Sequence, residues 1–209
     1  MAEQVGQGGL GGRATAMAER LRETAHDLGI DEAGIERILA AHEAAMLPRE
    51  RLLDSDHHPD FLHPGRTALI IMLDTPVRDP LLIAAGALLE TVRPELAADP
   101  IDDEVRAVLA AIPTPARDGE MITEELLLAE PAVCTVALAE RLDQVRHLHL
   151  RPREEWEEMH RMAEEIYLPI AVRTEPTMAR RYRWWCRTFR ARFLERAREG
   201  ASAPASQGS

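Results

Sequence analysis

Apolar residues recur at helical spacing along most of the chain. Met17, Leu21 and Leu28 mark one face of a helix over 13–29. Asp31 is placed to cap a second helix, in which Ile35, Ile38 and Leu39 share a face up to about Met46. The stretch 47–64, LPRERLLDSDHHPDFLHP, is polar and aperiodic and predicts a loop. The run TALIIMLD (67–74) would fit a buried strand on its own. Its neighbour DPLLIAAGALLETV (79–92) is too long for one and carries Pro80 where a helix first turn accepts it. No further β-branched runs supply partners, so both segments predict buried helices.

Ile101–Ile112 predicts another helix, with Asp102, Asp103 and Glu104 at its positive end. PTPARDG (113–119) reads as a loop and 122–130 as a short helix. Pro131 opens a longer helix to 148, Pro152 one to about Val172, and Pro176 one to about Glu199. The first twelve residues hold five Gly, and 200–209 reads GASAPASQGS; both predict disordered ends. The expectation is an all-α chain: one helical bundle of eight or nine helices over 13–199.

Composition narrows the picture. The chain has 209 residues, 45% of them hydrophobic but only 4% aromatic, so Leu, Ala, Ile, Val and Met must build the core. No apolar run approaches the ~18 residues that span a bilayer, and no secretory signal pattern opens the chain. Cys134 and Cys186 then read as thiols in a reducing cytoplasm. Lys and Asn are absent and all 25 basic residues are Arg, a codon bias that points to a GC-rich bacterial source. Net charge is −11, yet residues 176–199 hold eight Arg against two Glu, a surplus of six that leaves the rest of the chain at −17. An acidic body of that size argues against nucleic-acid binding.

Six segments carry a family pattern. They are AAHEAAMLPR (40–49), PDFLHPGRTALIIML (59–73), LLIAAGALLETV (81–92), VRAVLAAIPTP (105–115), LAERLDQVRHL (138–148) and MAEEIYLPIAVR (162–173). In this order the chain resembles the HD-type hydrolase domain of RelA/SpoT proteins, which cleave (p)ppGpp. The resemblance implies a helical HD domain whose divalent cation, usually Mn²⁺, is held by a His, a His-Asp doublet and a distant Asp. That cation would make hydroxide available near neutral pH to release pyrophosphate from the ribose 3′ position.

Carried over residue by residue, the pattern is broken where the chemistry lies. The first His survives as His63, followed by Pro64. The doublet positions hold Glu90 and Thr91, and the acidic pair after them falls on Pro94 and Glu95. The distal Asp becomes Glu140, the nucleotide-contacting Asn becomes Gln144, and a nearby Thr becomes His147. The base-gripping loop is replaced by PRERLLDSDHH, in which Arg49 or Arg51 would substitute. Packing residues persist: Leu142, Ile166, Tyr167 and Pro169.

The implied function is therefore a catalytically impaired hydrolase-like module that regulates or binds a guanine nucleotide through Arg49, Gln144 and His147. The first alternative is an active metal-dependent pyrophosphohydrolase of the (p)ppGpp class. There His63, Glu90 and Glu140 would form a new Mg²⁺ or Mn²⁺ site, with Glu95 a remnant of the acidic pair; against it, both Glu would pair with arginines such as Arg141 or Arg93. The second is a structural or interaction domain.

DSDHH (54–58) has metal-binding residue types at no standard spacing. EEWEEMH (154–160) reads as a solvated acidic helix start. In the last helix Trp185, Phe189 and Phe193 fall on one face amid arginines. That helix would suit binding to nucleic acid or an anionic membrane surface, packing on the core with the arginines paired to the acidic body, or a contact for a protein partner or a second copy; the acidic remainder of the chain favours the packing.

Overall fold

The computed structural model describes residues 10–112 and 129–195. It is helical throughout, with no strand among the described residues. The helices are α1 (Leu10–Asp27), α2 (Glu32–Leu52), α3 (His63–Asp74), α4 (Pro80–Leu88), α5 (Asp103–Ala111) and α6 (Pro131–Arg146). Then come α7 (Trp156–Met162), a π-helical turn (Ala163–Tyr167), α8 (Leu168–Thr174) and α9 (Pro176–Phe189), which closes in a second π turn (Arg190–Leu194). The expected loop 113–119, residues 122–128 of the expected helix 122–130, most of the leader and the tail 200–209 lie outside the described residues, and residues 129 and 130 are not helical.

The start signals act as the side chains dictate. Asp31 accepts from the Gly34 amide at 2.8 Å, Asp79 from Leu81 at 2.9 Å and Asp102 from Val105 at 2.8 Å. The segment 67–74 belongs to α3, which begins four residues earlier with Pro64 in its first turn.

Three boundaries differ from the sequence reading. Helix α1 starts at Leu10 and runs through Gly11 and Gly12. Helix α2 continues through Pro48 to Leu52 instead of stopping near Met46. Its Pro48 and Arg49 are buried, and the Arg49 Nη1 donates to the Ala45 carbonyl at 2.9 Å, so tertiary packing overrides the proline. Helix α4 stops at Leu88, because Glu90 turns back to accept from the Val92 and Arg93 amides at 3.2 and 3.0 Å.

Helix α6 is the axis of the bundle. Every residue from Cys134 to Val145 is buried, so it has no solvated face. Its apolar side chains, such as Val136, Leu138 and Leu142, join Leu21, Ile38, Ile71 and Ile83 in one core. Its polar residues must find partners inside, since an unpaired buried polar group costs ~2–7 kcal/mol. That requirement builds the site.

Candidate functional site

Glu140, Asp143, Gln144 and His147 fall at i, i+3, i+4 and i+7 of α6 and form one stripe. His63 opens α3 opposite that stripe. Its Nδ1 lies 2.7 Å from Asp143 Oδ2, and its Nε2 lies 3.6 Å from Glu140 Oε1, an ion pair rather than a hydrogen bond. Arg66, one turn along α3, donates to both Asp143 oxygens at 2.8 and 2.9 Å. Thr91 donates to Glu140 Oε1 at 2.8 Å. Arg141 Nε stands 3.4 Å from Glu140 Oε2.

A second pair lies beside the first. Arg49 and Glu90, each with a side chain 2% exposed, meet at 2.5 Å. Arg49 also donates to the carbonyls of Ala45, Asp60 and Leu96, which uses its guanidinium fork on both edges. Gln144 joins the network to the surface: its Oε1 accepts from Arg151 at 2.7 Å, and Arg151 reaches Asp60 at 3.3 Å.

The electrostatics follow from the enclosure. Burial alone would lower the His63 pKa, but the hydrogen bond and charge of Asp143 and the charge of Glu140 outweigh it and raise it to about 9. Burial would raise Asp143; His63 and Arg66 instead hold its carboxyl well below the usual range. Glu140 is likewise lowered, against burial, by Arg141, His63 and Thr91. His63 is thus an imidazolium between two carboxylates.

The candidate metal ligands are only partly brought together. His63 and Glu140 are neighbours, whereas the Glu90 carboxylate is engaged by Arg49 and by two backbone amides. Thr91 offers a hydroxyl already given to Glu140. Among the described residues no three His, Cys, Asp or Glu are grouped so as to hold a metal ion. Among the candidate ligands, His63 Nε2 and Glu140 Oε2 are buried without a hydrogen-bond partner. One imidazole and one carboxylate fall short of the six or so ligands that Mg²⁺ or Mn²⁺ takes, and the guanidinium groups of Arg49, Arg66 and Arg141 stand around them. The donor set does not fit the cation that the resemblance implies. Glu95, expected as a remnant of an acidic pair, is exposed and bound to Arg93 at 2.8 Å.

The candidate nucleotide contacts separate in the same way. Arg49 and Gln144 are buried and internally bonded, so they hold the fold together. His147 is half-buried, bonded to the Asp143 carbonyl at 2.9 Å, and lines an open cleft. The DSDHH loop is tied to α1 and to itself: Asp56 and His57 meet Arg13, and His58 accepts from the Asp60 amide at 3.1 Å. EEWEEMH is not wholly solvated, because Trp156 and His160 are buried against α9.

Asp143, Arg66 and Asp60 escaped the sequence reading as site residues. The signal for Asp143 was present, a carboxylate one turn from Glu140 on a helix otherwise rich in apolar residues. Searches of this chain against protein-family models, curated proteins and solved structures find no match.

Proposed function

We propose that this chain is a catalytically silent counterpart of the HD-type (p)ppGpp hydrolases, a module that regulates or binds a nucleotide instead of turning it over. The reading rests on the residue-by-residue resemblance, and one observation carries the loss of catalysis. The position of the missing histidine holds Glu90, and that carboxylate is clamped by buried Arg49. A cation at this place would have to displace a guanidinium that is itself held by three carbonyls. Thr91, at the position of the missing aspartate, is spent on Glu140. The residues that would do the chemistry have become a closed ion-pair network.

The test is an assay of purified protein for Mn²⁺-dependent pyrophosphate release from (p)ppGpp, with calorimetry of Mn²⁺ alone. The expected result is no release and no saturable Mn²⁺ binding. Release that depends on Mn²⁺ and disappears in Glu140→Ala would overturn the reading in favour of an enzyme with altered ligands.

A further inference from the structure

Two shallow clefts of about 350 and 270 Å³ lie along α9, and a third of about 290 Å³ opens between α1, α3 and the end of α6, touching α9 at Arg181. Arg146, at the end of α6, lines all three. Trp184 is shared by the first two, and Arg181 by the first and third. They are one groove with Arg146 at its centre.

Its charges are largely uncommitted. Arg181 pairs with Asp74 at 2.8 Å. Among the described residues Arg180 bonds only to the Thr177 hydroxyl, at 3.1 Å. Arg146 and Arg192 have no carboxylate partner among the described residues. The two carboxylates in the groove, Asp74 and Asp143, are already neutralised by Arg181 and by Arg66 with His63. The groove therefore carries a net positive charge on a chain whose remainder is strongly acidic.

It also exposes an aromatic face. Trp185 is 5% exposed and stacked on Phe189 within the core, but its neighbour Trp184 is 57% exposed. An indole left in water beside unpaired guanidinium groups is the pairing that takes a flat ring and its anionic substituents together. Guanidinium forks match phosphate oxygens, and the ring supplies a stacking surface.

We propose that this groove binds a nucleoside polyphosphate, the phosphates on Arg146, Arg180 and Arg181 and the base on Trp184. Arg146, Arg180, Arg181 and Trp184 take no part in the buried network, so the inference stands whether or not the chain descends from hydrolases. A short polyanion can sit on the groove alone, while a long nucleic acid would also have to cross the acidic surface around it.

Calorimetry and Trp fluorescence with GTP, ATP, tripolyphosphate and guanosine test the proposal. A nucleoside triphosphate is expected to bind about tenfold or more tighter than tripolyphosphate, the worth of one base stack. Guanosine alone should not bind measurably. Arg146→Gln with Arg180→Gln should weaken both phosphate ligands about tenfold or more. Trp184→Ala should abolish the advantage of the nucleotide and leave tripolyphosphate unchanged. Arg180 and Trp184 are exposed and Arg146 is half-buried, and unchanged thermal melts would show that the variants fold. No binding of either triphosphate at millimolar concentration overturns the proposal, and so does a hexaglutamate peptide binding where the triphosphates do not. Nucleotide binding that survives all the substitutions also overturns it, while leaving the proposed nucleotide module standing. Self-association that is lost in the arginine variants, without nucleotide binding, would identify the groove as a contact between copies of this chain.

Discussion

His63 sets the charge balance of the interior. It is 1% exposed, and it is charged only because Asp143 and Glu140 flank it. A histidine whose pKa is raised on folding adds stability in full below its unfolded value of ~6.5 and loses it as pH climbs through the folded value. Here that value is about 9, so thermal melts between pH 6 and pH 10 should show stability falling across roughly 6.5 to 9. His63→Gln should be less stable at pH 6 and flatter over the same range; an equal slope in the variant would place the titration elsewhere. Asp143 and Glu140 act in the opposite direction, their contribution fading as pH falls below the ordinary carboxylate range. Asp143→Asn removes the charge that both His63 and Arg66 use. It should cost about 3–5 kcal/mol at pH 7 by urea denaturation, the usual loss when one partner of a buried pair is removed. A loss below about 1 kcal/mol would mean that the network relaxes around the amide.

Between elements, the α4 turn decides how the site differs from a metal centre. Placing a His-Asp doublet there by Glu90→His and Thr91→Asp would add two ligands on paper. It would also leave Arg49 buried with no carboxylate, at a cost of about 3–5 kcal/mol. The double variant is therefore expected to melt well below wild type, and adding Arg49→Met should recover part of the loss. Helix α2 meets α4 closely enough that Gly34 is the residue the contact allows. A Cβ there would stand 2.4 Å from Pro80 Cγ, in a rigid ring, and 2.8 Å from Ile30 Cγ2. Gly34→Ala should gain up to ~1 kcal/mol in helix propensity but lose about 1–3 kcal/mol to overpacking, so chemical denaturation should report a net loss.

These elements also show what the chain reveals before it folds. The caps Asp31, Asp79 and Asp102 and the apolar spacing of α3 to α5 act locally, and they are readable because each depends on residues within one turn. The Arg49–Glu90 pair spans 41 positions and the His63–Asp143 contact spans 80, distances over which no local pattern operates. The same gap explains α2. Pro48 ends a helix by every local rule, and only the burial of Arg49 carries the helix past it. Glu140, Gln144 and His147 were named from the sequence one by one, but whether each faces a metal, a nucleotide or a neighbouring side chain depends on what α3 and α4 bring to them.

Across the whole molecule, charge is divided by region. The aromatic stripe of α9 packs inward as expected, with Phe189 stacked between Trp185 and Phe193 at 4.9 Å on each side. The expected pairing of its arginines with the acidic body is met only in part, by Arg181 with Asp74 and Arg190 with Glu164. The arginines without a carboxylate partner among the described residues make a basic strip on a chain of net charge −11. Such a strip attracts a compact polyanion strongly at short range, whereas the surrounding acid repels whatever extends past it. The consequence is measurable by comparing a triphosphate with single-stranded DNA of about 20 nucleotides. The strand should bind no tighter than the triphosphate at 0.15 M salt, because only the few phosphates over Arg146, Arg180 and Arg181 gain contacts. Its log affinity against log salt should fall with a slope of about −2, at ~0.7 per phosphate neutralised. Binding a hundredfold tighter, with a slope beyond about −5, would mean that the basic face tracks a backbone well past the groove and that the acidic body does not restrain it.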